Sequence, residues 1–248
     1  IITATEQDGL IEPLIAHITT DSSIAHGVSL AAQPAAQSFA PGGSATYAIS
    51  LTNTGNVYEA FSLEQITSGW PVSLTPVSLF VPPGMTQTAQ LTVTIPAQTL
   101  ANTSRVTRLT GWSAGREVSY TLNLTTTASA VYGVMVTPPS AALTARRGEW
   151  LTYTLRLTNT GNLTTSFQIT SNGAWASTVS TSTLGPLAAL AGQNFQVSMR
   201  VPLTATLNQQ VTTAVTATAQ GGAFPFATAT LITTVKQYRL YLPLVRRG

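Results

Sequence analysis

Two histidines and eight Asp or Glu carboxylates are the side chains of this sequence best suited to acid–base work near neutral pH, and there is no cysteine. His17 and His26 both lie near the N-terminus. Either could be drawn into a nucleophilic triad with Asp8 or Asp21 and one of many serines. Triads are defined by geometry, however, and no Gly-x-Ser-x-Gly elbow occurs. Glu6, Asp8 and Glu12 could offer oxygens to Ca²⁺, but no Asp-x-Asp-x-Asp-Gly loop accompanies them. Gly42-Gly43-Ser44 lacks the Gly-Lys-Ser/Thr ending of a phosphate loop. Without cysteine there is no disulfide framework and no thiolate metal site. The expectation is a protein that is not an enzyme, with no catalytic, cofactor-binding or metal residues and no required cofactor.

The charges are few and segregated. Charged residues make up 8% of the chain, so its polarity comes mainly from Thr, Ser, Asn and Gln. Residues 1–104 hold Glu6, Asp8, Glu12, Asp21, Glu59 and Glu64 with no Lys or Arg, a net of −6. Residues 105–248 hold all eleven bases against Glu117 and Glu149, a net of +9. Asymmetry of this kind bears on partners rather than fold. Nucleic acid is not an expected partner, because the only basic doublets are Arg146-Arg147 and Arg246-Arg247. No apolar run approaches the ~20 residues that span a bilayer, so no membrane span is expected. Sequons at Asn102, Asn123 and Asn162 leave glycans open. Ile1 in the first position is consistent with a mature product of export or with an arbitrary boundary.

The elements that would position any site repeat. Tyr47-Ala-Ile-Ser-Leu-Thr-Asn-Thr-Gly-Asn56 recurs 106 residues later as Tyr153-Thr-Leu-Arg-Leu-Thr-Asn-Thr-Gly-Asn162. The same displacement carries Gly42 onto Gly148, Phe61 onto Phe167 and Ile95-Pro96 onto Val201-Pro202. Trp70 falls one residue from the place equivalent to Trp175. A repeat of this length is a duplicated domain rather than a solenoid. The expected organisation is an N-terminal segment 1–26, a first module 27–128, a second module 129–234 and a tail 235–248.

Within each module the apolar period is two. Tyr47, Ile49 and Leu51 alternate with small or polar residues, as do Tyr153, Leu155 and Leu157. Leu91, Val93 and Ile95 repeat as Val197, Met199 and Val201. Such alternation marks strands with one buried face. Asn-Thr-Gly-Asn reads as a turn in which Gly55 and Gly161 are free to take positive φ. Short strands broken at this spacing predict an all-β sandwich, with no amphipathic helix. Tyr47, Leu51, Phe61 and Trp70 are expected in one core; Tyr153, Leu157, Phe167 and Trp175 are expected in the other. Trp112 and Trp150 are the remaining tryptophans that could stack on sugars if exposed in a row.

A glycine-containing turn, Tyr-x-(Ile/Leu)-x-Leu-Thr-Asn-Thr-Gly-Asn, then Phe, Trp and an x-(Ile/Val)-Pro strand end resembles bacterial extracellular Ig-like modules. These include cell-adhesion-related domains and those appended to secreted glycosidases and proteases. The resemblance covers residues ~27–234 in two copies, judged from domain length. It implies two tandem Ig-like β-sandwiches with extended terminal segments, a location outside the cell or at its surface, and no catalytic residues. The ending Tyr238-Arg-Leu-Tyr-Leu-Pro-Leu-Val245 resembles a short tail of some secreted bacterial proteins.

Three functions fit this reading. The first is a structural subunit of an extracellular filament or surface layer that self-associates head to tail. Its N-terminal segment would act as a donor strand. Ile11, Leu14, Ile15 and Ile18 are the candidate contacts on one side, with Leu240, Leu242 and Leu244 on the other. The second is a spacer or adhesion region of a larger secreted enzyme. The third is a carbohydrate-binding module.

Overall fold

A computed structural model describes residues 2–4, 14–16, 18–66, 69–221 and 225–237. The regular secondary structure of the described chain is strand, apart from one short 3₁₀ turn at Ala114–Arg116. Two short strands, β1 (Ile2–Ala4) and β2 (Leu14–Ala16), pair antiparallel with each other. They are followed by two sandwiches of identical topology.

The first sandwich contains β3 (Val28–Ala32), β4 (Ala36–Phe39), β5 (Ser44–Asn53), β6 (Glu59–Ile66), β7 (Val72–Thr75), β8 (Ser78–Val81), β9 (Thr86–Thr94), β10 (Ser104–Trp112) and β11 (Ser119–Ala128). One sheet has the order β3-β5-β9-β7 and the other β4-β11-β10-β6-β8. The second contains β12 (Val134–Thr137), β13 (Ser140–Ala145), β14 (Trp150–Asn159), β15 (Thr165–Gly173), β16 (Ser177–Val179), β17 (Thr183–Leu187), β18 (Gly192–Arg200), β19 (Gln210–Ala219) and β20 (Phe226–Val235). Its sheets run β12-β14-β18-β16 and β13-β20-β19-β15-β17. This order is that of an Ig-like sandwich. The first strand of each module is split between the sheets. Only β4 and β13 pair parallel to their neighbours, β11 and β20. Pro34 and Pro138 sit at the two splits, where a residue without an N–H cannot extend a ladder.

Alternation builds the cores as expected. Along β5, Ala45, Tyr47, Ile49, Leu51 and Asn53 are buried; along β14, Leu151, Tyr153, Leu155, Leu157 and Asn159 are. All eight residues named for the two cores are buried, Trp70 and Trp175 included. The apolar clusters are separate, one drawing on residues 28–128 and the other on 136–235. Each buried tyrosine ties one sheet to the other. Tyr47 Oη donates to Thr125 O at 2.7 Å, with Thr126 Oγ1 at 2.8 Å. Tyr153 makes the equivalent contacts with Ile232 O and Thr233 Oγ1. Burial pushes the Tyr47 hydroxyl pKa up, which keeps it a donor.

Candidate functional site: the joint between the modules

Among the described residues, the groups that could do chemistry do not converge on a reactive arrangement. His17 and Asp8 lie outside the described residues, as do Glu6 and Glu12, and Asp21 is exposed. His26 does meet carboxylates: Nδ1 is 3.1 Å from Glu59 and Nε2 is 3.2 Å from Glu117 Oε2. The hydrogen bond to Glu59 raises the imidazole pKa, desolvation opposes it, and the charges of Glu59 and Glu117 add to the rise. Both ring nitrogens face carboxylate oxygens, an arrangement that favours the protonated imidazole over a free base. Glu59 is buried and also accepts the Ala114 N–H at 2.6 Å. Glu64 meets Arg116, whose guanidinium lies 5.0 Å above the Trp112 ring. The cluster ties the turn between β10 and β11 to the start of β3 and to β6. Among the described residues no group of three His, Cys, Asp or Glu could hold a metal ion.

Sugar stacking fares no better at the tryptophans. Trp70 and Trp175 are core residues, Trp112 sits under Arg116, and only Trp150 is exposed. An exposed aromatic pair, Tyr58 and Phe80, stacks with ring centroids 6.3 Å apart at the edge of the first module. Nothing in their sequence spacing signals this pair. Its counterparts in the second module, Thr164 and Pro186, do not repeat it.

The repeated Asn-Thr-Gly-Asn is the candidate functional feature of the structure. Its first asparagine is a core residue because it continues the inward period of β5 or β14. Asn53 Nδ2 donates to Val57 O and Val81 O at 2.7 and 2.8 Å, and its Oδ1 accepts the Gly55 N–H at 2.9 Å. Asn159 does the same with Leu163 O, Leu187 O and Gly161 N. Gly55 and Gly161 do not take positive φ, contrary to expectation. They are glycines because the chain segment leading into the first strand of each module crosses against them. A Cβ on Gly55 would overlap Ala25 O and stand 2.9 Å from Gly27 N; one on Gly161 would overlap Val131 O and stand 3.0 Å from Gly133 N.

The second asparagine of the motif captures the chain entering its module. Asn162 Oδ1 accepts the Val131 N–H at 2.7 Å, Nδ2 donates to Ser129 O at 2.9 Å, and the backbone N–H donates to Val131 O at 3.0 Å. Asn162 also reaches the preceding module. Its Nδ2 is 3.2 Å from Thr99 O, and its own carbonyl accepts the Ala101 N–H at 2.9 Å. One buried side chain thus binds module one, the connecting chain and module two, which makes the Asn162 sequon a structural one. Beside it lies an open cleft of about 270 Å³ lined by Pro41, Leu100, Val131, Gly161, Asn162 and Leu190.

Of the terminal residues expected to mediate assembly, Leu14, Ile15 and Ile18 are among the described residues. Ile18 is exposed, and the backbones of Leu14 and Ile15 pair with Ala4 and Thr3. Ile11, Leu240, Leu242 and Leu244 lie outside the described residues.

No protein family model matches the chain, and no curated protein matches it by sequence. Solved structures resemble it distantly. The D00-D0 domains of intimin align at 10% identity over 85% of this chain and 100% of that one, with a TM-score of 0.35. A protein of unknown function from Porphyromonas gingivalis W83 aligns at 10% identity over 83% and 99%, with a TM-score of 0.32. The secreted serine protease VesC from Vibrio cholerae aligns at 10% identity over 73% of this chain and 48% of its own, with a TM-score of 0.33. Likenesses this distant carry no functional argument, and the fold assignment rests on the strand order itself. No helix is long and apolar enough to cross a membrane among the described residues.

Proposed function

We propose that this chain is a non-catalytic structural spacer of the cell exterior, in which Ig-like modules of residues 27–128 and 129–234 are clamped in series. The observation that carries this reading is the joint at Asn162. A flexible tether between independent domains needs no buried side chain hydrogen-bonded to the module on each side and to the connector. Here the connector is short, its carbonyls and amides are engaged, and Gly133 and Gly161 let it lie flat against the second module. Such a joint suits a protein that holds something at a distance and direction. The low charge and Thr-rich strand faces fit a surface or secreted location, and exposed Asn102 and Asn123 keep glycans in view.

A head-to-tail homopolymer remains the second reading. Its support is the segregation of charge, which would steer one polarity of encounter, together with the exposure of Ile18 and Ile24. Because β1 and β2 pair with each other, anything donated to a neighbour would be a hairpin with its two outer edges open, not the single strand of this second reading. Sedimentation and electron microscopy of the full chain and of a variant lacking residues 1–20 decide between them. The spacer predicts short monomeric rods for both proteins at high concentration. Filaments formed by the full chain and lost on deletion would establish the polymer instead.

A further inference from the structure

We propose that β1, β2 and residues 18–22 are the closing hairpin of a third Ig-like sandwich, whose other strands, of the same kind as β12–β18, are the partner received at Asn56. This deepens the serial-module reading and rests on it.

The register carries the assignment. β1 and β2 pair Ile2↔Ala16, Thr3↔Ile15 and Ala4↔Leu14. Adding 213 to each of these six numbers gives Val215↔Ala229, Thr216↔Thr228 and Ala217↔Ala227, which are pairs observed between β19 and β20. Pairing and connection length therefore both match the closing hairpin of the second module with one displacement. The residue types follow it. Ile2 and Ala4 correspond to Val215 and Ala217, and Ala16, Ile18 and Thr20 to Ala229, Leu231 and Thr233. Those five residues of β19 and β20 are buried, and Thr233 is the partner of the core tyrosine. Ile18, at the place of fully buried Leu231, is 69% exposed. It is a core residue lacking its core, and a hairpin of two strands is marginal in water until a sheet covers it.

The joint repeats as well. Asn56 holds residues 23–25 as Asn162 holds 129–131. Its Oδ1 accepts the Ala25 N–H at 2.9 Å, Nδ2 donates to Ser23 O at 2.8 Å, and its N–H donates to Ala25 O at 3.0 Å. What Asn56 lacks is the module in front. Asn162 is buried and its carbonyl accepts the Ala101 N–H, whereas Asn56 is exposed and its carbonyl accepts no hydrogen bond from the described residues. Module one thus presents, on its leading face, the half of a joint that module two uses in full.

The test is a hybrid in which residues 133–213 are fused ahead of Ile1 of the full chain, so that residue 1 takes the place of Ala214. Amide hydrogen exchange is read at Thr3, Ile15 and residues 18–22. The expected result is protection raised by roughly a hundredfold or more over the unfused chain, the behaviour of strands joining a cooperative unit. Ile18→Asp should abolish that protection in the hybrid while leaving the unfolding midpoints of both modules unchanged in the unfused chain. Because the junction itself could fail, a second hybrid replaces residues 214–235 of the full chain with residues 1–22. Absence of protection in both hybrids overturns the assignment, as does protection that is indifferent to Ile18→Asp. Neither outcome touches the Asn162 joint, so this inference and the spacer reading fail separately.

Discussion

Asn159→Ala should be among the costliest single substitutions in the second module, although it removes no apolar surface. The side chain is fully buried and makes three hydrogen bonds of 2.8–2.9 Å, to Leu163 O, Leu187 O and Gly161 N. Each is worth about 1 kcal/mol net, and a partner left buried and unpaired costs about 1–3 kcal/mol. Water entering the vacated space would recover part of this, so the expected loss is about 3–5 kcal/mol. In a module of ~100 residues each kcal/mol lowers Tm by about 4–8 °C, so the drop is at least roughly 12 °C. Asn159→Asp should be no milder. It keeps the acceptor for Gly161 but loses both donors and sets a carboxylate against two carbonyls. Asn53→Ala should reproduce the effect in module one through the same three contacts. Calorimetry, with hydrogen exchange to show which module has been weakened, reads these losses. A cost below about 1 kcal/mol at both asparagines would refute the argument that they hold the strand crossings together.

Gly55→Ala and Gly161→Ala should each destabilise by about 2 kcal/mol or more through overpacking, even though neither glycine has positive φ. Gly84→Ala, where φ is +72° and nothing stands within 4 Å, should cost only about 1–2 kcal/mol by chemical denaturation. Leu157→Ala should cost about 2–5 kcal/mol by the same measurement, as expected for a fully buried leucine. The folded-state pKa of His26 lies above 6.5, so its contribution is fully present below about pH 6.5 and is lost as pH rises through the raised value. Module one's Tm should therefore decline across that window in the native chain, and His26→Gln should remove that component of the slope.

The fold was legible because period-two patterning directly encodes which strand face is buried. The same alternation that places Tyr47, Ile49 and Leu51 inside also carries Asn53 inside, two residues after Leu51. The motif was legible as a repeat but not in its role. The segments that cross against Gly55 and Gly161 are contributed by residues about 30 positions earlier, and no local turn rule contains them. Asn162 reads in the sequence as a sequon and as the end of the repeated motif, but its clamping role does not, because its partners are backbone atoms of Thr99, Ala101, Ser129 and Val131, which leave no signature of residue type. Its repetition at Asn56 was the available signal. The His26–Glu59–Glu117 cluster leaves no local signature for a related reason: its members are 33 and 58 residues apart and meet only when three strand ends converge.

The central claim, that Asn162 clamps the modules in a fixed series, is tested most directly by ¹⁵N relaxation of both modules in the full chain. A clamped joint predicts one shared anisotropic tumbling tensor, which Asn162→Ala separates into two. Two independent correlation times in the unsubstituted protein, each that of a lone ~100-residue domain, would contradict it.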